Sequence, residues 1–159
     1  MDERAQQIER VYRERYVGFR NALATVTGSH ESAHDAVQEG FARALRERAR
    51  FRGDGPLEAW IFRIALRVAV ESRRRGRPQS LGELVDPELV EPERDPELTA
   101  ALRALPPRRR LVVFLRYFAD LSYAEIAAAC GVSEGTVAAS LAQARAALAE
   151  TLHVEEVTR

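Results

Sequence analysis

The chain has 159 residues, 46% of them hydrophobic, and its 24 basic and 24 acidic side chains leave no formal net charge. That length fits one domain or two small ones, no apolar run approaches the 18 or more residues of a membrane span, and the charged N-terminus lacks a signal-peptide core, so a cytoplasmic protein without membrane insertion is expected. The single cysteine, Cys130, excludes an internal disulfide, and His30, His34 and His153 do not gather with it, so neither a metal nor a cofactor is expected.

The first helix is expected over Glu3–Thr27, where Ile8, Tyr12, Tyr16, Phe19, Leu23 and Val26 recur at three- and four-residue spacing. Gly28-Ser29 breaks it. A second helix runs from about Glu31 to about Arg50 and buries Ala33, Val37, Phe41, Ala44 and Leu45. Gly40 stands mid-helix at a cost of about 1 kcal/mol relative to alanine, for no reason visible in the sequence. After the turn Arg52-Gly53-Asp54-Gly55, Pro56 suits the first position of a third helix. That helix carries Leu57, Trp60, Ile61, Ile64 and Val68 and ends in Arg73-Arg74-Arg75.

Charge is not evenly spread along this path. All 24 basic residues are arginine; residues 43–77 hold eleven of them against four acids, and residues 78–99 hold one against seven. A basic block followed by an acidic one is not the even mixture of a solvated surface. Residues 76–97 also contain Pro78, Pro87, Pro92 and Pro96 and read as a linker.

Short helices over about 96–104 and 107–119 precede the most telling stretch, residues 122–148. Ser122 and Glu125 have capping-box spacing, Gly131 suits a left-handed helix end, and Ser133 caps a second helix. Ile126 and Cys130 share one face of the first helix, Ala127 is small at the crossing, and Val132 plugs the turn. Val137, Leu141, Ala144 and Leu148 form the stripe of the second. This is the pattern of a helix-turn-helix that enters a DNA groove. The expected fold is all-α: two small helical domains, residues 1–75 and 98–159, joined by an acidic Pro-rich linker over 76–97.

The chain resembles the extracytoplasmic-function (ECF) group of bacterial RNA polymerase sigma factors. Asp35-Ala36-Val37-Gln38-Glu39-Gly40-Phe41 is similar to the D-L-V-Q-E-V-F of region 2, and Trp60-Ile61-Phe62-Arg63-Ile64-Ala65 to its W-L-x-R-I-A. Leu105-Pro106-Pro107-Arg108-Arg109-Arg110 resembles the L-P-x-x-x-R that opens region 4, and Leu115 through Ala127 with Gly135-Thr136-Val137 continues it. The order and spacing of these pieces carry the resemblance more than any single one.

The resemblance implies roles. Asp35, Gln38 and Glu39 would bind the clamp helices of the polymerase β′ subunit, and the second block would meet the β flap. Residues 48–75 would open the −10 element and hold a flipped base of the non-template strand; the candidates are Arg48, Arg50, Arg52, Arg63, Arg67, Arg73, Arg74 and Arg75. Among aromatic residues, Trp60 lies on the apolar stripe and reads as core, leaving Phe51 and Phe62 to approach a base. The linker would thread the polymerase's RNA channel. In region 4, Ser133, Thr136, Ser140, Gln143 and Arg145 would face the −35 duplex. Family members are often restrained by an anti-sigma protein.

The chain also departs from the family. Where K-S-R-L-x-R-A-R is usual, it has Ala138-Ala139-Ser140-Leu141-Ala142-Gln143-Ala144-Arg145, which removes phosphate contacts and weakens binding. In region 2, R-I-A-R-N becomes Arg63-Ile64-Ala65-Leu66-Arg67, and Arg67 cannot accept a hydrogen bond. Two other readings stay open: a helix-turn-helix regulator of duplex DNA, and a sigma-like partner-binding module with decayed DNA contacts. An enzyme is not expected, since no phosphate loop, nucleophile–base pair or metal constellation stands in the sequence.

Overall fold

The computed structural model describes residues 2–75 and 96–152. The chain divides into two compact units, Met1–Leu84 and Val85–Arg159. Nearly all of the stretch read as an acidic linker lies outside the described residues. Among the described residues every regular element is a helix.

Unit 1 packs α1 (Glu3–Thr27), α2 (His30–Arg46) and α3 (Leu57–Arg75) around one core, with a short 3-10 turn at Arg48–Arg50. Local chemistry sets the boundaries. Asp2 caps α1 through Oδ1, which accepts the Ala5 N–H at 2.7 Å. Gly28 ends it at φ 78°, a left-handed conformation that costs glycine nothing. Ser29 follows at once and caps α2 by accepting the Ser32 N–H at 3.2 Å. Phe19 is the hub of the core, its ring 5.1 Å from Phe62 of α3 and 5.9 Å from Phe41 of α2. Ile8, Leu23, Val26, Val37 and Ile61 fill the space around it, each at most 1% exposed. A half-buried ion pair, Arg15 to Glu58 at 2.8 Å, ties α1 to α3.

Two expectations need correction here. The second helix stops at Arg46, short of Arg50. The Glu47 N–H still reaches Arg43 O at 2.8 Å, but the Arg50 N–H bonds Glu47 O at 2.8 Å, so the chain tightens into 3-10 geometry. Leu45, expected inside, is 39% exposed. Ala44 takes the inward position, and the step of about 100° to the next residue carries Leu45 off the core.

Unit 2 contains α4 (Pro96–Ala104), α5 (Pro107–Tyr117), α6 (Tyr123–Cys130) and α7 (Glu134–Thr151). Both bonds of the capping box form: Glu125 N–H to Ser122 Oγ and Ser122 N–H to Glu125 Oε1, each 3.1 Å. Gly131 ends α6 at φ 68°. Leu111 and Leu115 of α5, Ile126 and Cys130 of α6, and Val137 and Leu141 of α7 close the core between the three helices. Helix α5 ends earlier than expected, at Tyr117, and Asp120 takes a left-handed φ of 54° in the turn to α6.

Candidate nucleic-acid interface

Helix α3 has two unlike faces. Phe62, Ala65 and Ala69 point into the core. On the far side Trp60, Arg63, Arg67 and Arg74 follow at intervals of three, four and seven, which places them on one face. Arg67 and Arg74 are exposed, Trp60 and Arg63 half-buried. From Arg63 to Arg74 the row spans about 16 Å at a rise of about 1.5 Å per residue. A row of cations with an indole at one end is the surface that single-stranded nucleic acid uses, phosphates on the guanidinium groups and a base on the ring.

The packing does not follow the aromatic expectations. Phe62, expected to approach a base, is fully buried against Phe19. Trp60, expected as core, reaches the surface and packs against Phe51, ring centroids 5.3 Å apart. Two residues along a helix are separated by about 200°, so turning one inward turns the other out. Phe51 itself is half-buried, and the Arg4 guanidinium lies 4.8 Å above its ring.

The remaining candidate arginines fall into two groups. Arg52, Arg67 and Arg74 are exposed and make no ion pair among the described residues. The others are engaged within the unit. Arg48 Nε lies 2.7 Å from Asp2 Oδ2, Arg50 3.9 Å from Glu47, and Arg75 3.3 Å from Glu71. Arg73 is half-buried, its Nη1 3.4 Å from the Val26 carbonyl, one step round the helix from Arg74 toward the core.

The residues implied for polymerase binding do not form one uniform stripe. Asp35 is exposed at the crest of α2. Gln38 leans toward α1, where its Nε2 donates to the Tyr12 hydroxyl at 2.6 Å. Glu39 leans the other way, into a groove shared with Val68, Glu71 and Arg75 of α3. It accepts from Arg43 at 2.9 Å and Arg46 at 3.2 Å. The Arg43 bond first, then Arg46, holds the Glu39 carboxyl below its usual range. Asp35 and Gln38 are thus the exposed groups, and Glu39 is ion-paired with Arg43 and Arg46. Arg43 and Arg46 were missed by the sequence reading, although the i,i+4 spacing of Glu39 and Arg43 was there to be read.

In unit 2 the N-terminus of α7 uses its hydroxyls internally. Ser133 Oγ accepts the Thr136 N–H at 3.1 Å and lies 2.9 Å from Thr136 Oγ1. Ser140 is half-buried and Gln143 exposed. Arg145 donates from Nε to the Tyr117 hydroxyl at 3.0 Å. That bond first, then one to Tyr123, raises its pKa further above the ordinary arginine value. Between Val137 and Leu148 the exposed residues of α7 are Ala138, Ala139, Ala142, Gln143, Arg145 and Ala146.

Among the described residues no group of three or more His, Cys, Asp or Glu is placed to hold a metal ion, and no helix is long and apolar enough to cross a membrane.

The sequence matches known proteins in both units. Sigma-70 region 2 matches residues 11–79, and Sigma-70, region 4 matches residues 96–148. The ECF RNA polymerase sigma factor SigE of Mycolicibacterium smegmatis is 33% identical, covering 92% of this chain; the chain spans only 59% of that relative's length. The ECF RNA polymerase sigma factor SigM of Mycobacterium tuberculosis is 33% identical over 82% of this chain and 69% of its own. Among solved structures, CnrH in complex with the cytosolic domain of CnrY aligns at 25% identity with a TM-score of 0.47, over 94% of this chain and 90% of that one. Both sigma-70 regions are present, in order and in separate units, and the chain belongs to the ECF group of the sigma-70 family of RNA polymerase sigma factors.

Proposed function

We propose that this chain joins core RNA polymerase, recognises −10 and −35 promoter elements and directs the start of transcription, acting by binding and not by catalysis, in the cytoplasm. Residues 1–75 serve as region 2, residues 76–97 as the tether within the polymerase, and residues 98–159 as region 4. The observation that carries this reading is the face of α3 opposite the core, where Trp60, Arg63, Arg67 and Arg74 line up. A regulator of closed duplex has no use for such a track. Unpaired strand needs one, because its bases are open to stacking and its phosphates follow a single line. Asp35 and Gln38 supply the polymerase contact, an exposed carboxylate and amide suited to basic partner helices.

Run-off transcription with core polymerase, the pure protein and genomic DNA tests the proposal. Promoter-specific transcripts are expected. Duplex binding without initiation would point to a conventional helix-turn-helix regulator instead.

One observation favours a second reading for unit 2. Helix α7 carries two acids and one arginine, and that arginine is held by Tyr117. Region 4 then depends on polymerase to hold it at the promoter, and its own grip on duplex DNA is weak. Core binding with no initiation would extend this to the whole chain and make it a partner-binding module.

A further inference from the structure

We infer that the first turn of α1 positions the loop between α2 and α3, Asp2 fixing Arg48 and Arg4 covering Phe51. The inference rests on reading the α3 row as a single-strand track.

Asp2 does two things at once. Its Oδ1 caps α1 by accepting the Ala5 N–H, and its Oδ2 takes Arg48 Nε at 2.7 Å, from 46 positions along the chain. Arg48 sits in the 3-10 turn, so this bond pins the turn to the start of α1. Arg4, two residues on, lays its guanidinium 4.8 Å above the Phe51 ring. It is braced by Nη1 donating to Gln7 Oε1 at 3.0 Å. Phe51 then rests against Trp60 at 5.3 Å. Contact runs without a gap from the first turn of α1 through the 3-10 turn and Phe51 to the indole that begins the α3 row. Asp2, Arg4, Arg46, Arg48, Ala49 and Phe51 together wall an open hollow of about 520 Å³.

The loop needs such ties because it has little to hold it otherwise. Gly53 sits at φ 79°, and neither it nor Gly55 would meet any atom within 4 Å if given a Cβ. Residues 52–56 are all exposed. A loop ordered before the strand arrives loses less conformational freedom on binding. Arg4 also settles which ring a base can use. It occupies one face of Phe51, and Trp60 abuts the ring elsewhere, so Phe51 acts as a support and the indole is the surface left for stacking.

Trp60 is the one tryptophan in the chain, so its emission reports on this loop without labelling. Two full-length variants separate the ties from helix capping. In Asp2→Ser the serine still caps α1 but is too short to reach Arg48; Arg4→Ala uncovers Phe51. Well below the melting temperature, with helicity unchanged, each variant is expected to raise acrylamide quenching of Trp60 about twofold, as local order is lost without global unfolding. Each is also expected to weaken binding of a mixed-sequence single-stranded 12-mer by about three- to tenfold, the ordering cost now falling on the binding step. Wild-type quenching in both variants would overturn the inference. So would wild-type affinity for the 12-mer in variants whose parent shows a clear Trp60 response to it. If the parent itself shows no Trp60 response to the 12-mer, the single-strand track fails and takes the inference with it.

Discussion

Gly40 of α2 and Ala65 of α3 meet almost backbone to backbone. A Cβ built on Gly40 would lie 2.5 Å from Ala65 Cβ and 2.7 Å from its Cα, closer than real atoms approach. The glycine that looks like a helix defect in the sequence is what lets α2 and α3 cross, and that crossing sets where the α3 row sits relative to Asp35. Gly40→Ala gains about 1 kcal/mol of helix propensity. It is nevertheless expected to destabilise the unit by about 1–3 kcal/mol, because the obstruction includes backbone that cannot step aside. Urea denaturation measures this; a variant as stable as the parent would show that the helices can part at little cost.

Phe62 and Trp60 should separate stability from function on a single helix. Phe62→Ala empties a fully buried site beside Phe19 and should cost about 3–5 kcal/mol. Trp60→Ala removes a half-exposed ring and should cost no more than about 2 kcal/mol. In transcription assays the order inverts. The Trp60 variant, still folded and still bound to core polymerase, fails to open promoters, while any folded fraction of the Phe62 variant retains opening. Equal opening by wild type and Trp60→Ala would remove the indole from the track.

Much of this architecture was legible in the sequence wherever the signal is local. Ser122 with Glu125, Gly131 and Ser133 act over three or four residues, and each forms the cap its spacing announces. Periodicity gave the helices but not their exact rotation: Trp60, Ile61 and Phe62 are all apolar, and only packing against Phe19 decides which of them faces in. Pairings between distant segments left no trace in the sequence. Nothing near Arg48 announces Asp2, and nothing near Gly40 announces Ala65. Glu39 is different: its i,i+4 partner Arg43 stands in the sequence, and only the choice of Arg43 and Arg46 over solvent is added by the structure.

The α3 row should register in salt dependence. Arg67 and Arg74 are exposed and outside any ion pair among the described residues, so their guanidinium groups can meet phosphate without first breaking a bond. Arg75 must leave Glu71 to do so. For single-stranded DNA each phosphate contact contributes about 0.7 to the slope of log K against log salt. The double variant Arg67→Ala with Arg74→Ala should lower that slope by about 1.4, with core-polymerase binding intact, whereas Arg75→Ala should change it far less. An unchanged slope in the double variant would place the strand elsewhere.

Two carboxylates predict the acid limb of stability. The Arg43 bond, then Arg46, holds folded Glu39 below the 4.5 of the unfolded chain. The Ala5 N–H, then Arg48, holds Asp2 below 3.8. In each case the unfolded chain takes up a proton first as pH falls. The stabilisation is therefore fully present above the unfolded value and is lost as pH drops through the folded one. Both groups are exposed, so the effect is small. Glu39→Gln should melt slightly below wild type by a constant margin from about pH 6 to 8, and that margin should shrink below 4.5. Thermal melts across this range test it; a margin that persists to the acid end would mean that Glu39 stabilises by packing and not by charge.

If α7 faces duplex DNA, restoring cations to it should produce a gain. Ala138 and Gln143 are both exposed, at positions where the family carries Lys and Arg. Ala138→Lys with Gln143→Arg places two cations on the outer face without touching Val137 or Leu141 beneath, and both new residues are good helix formers. Stability should stay within about 0.5 kcal/mol of wild type. Affinity for promoter duplex should rise, and the salt slope should steepen by about 0.9 for each new phosphate contact. Arg145, held by Tyr117, serves as the internal control: Arg145→Ala should alter duplex binding less than either addition. Cations that leave both affinity and slope unchanged would show that this face does not approach DNA, and unit 2 would then be read as a surface for protein.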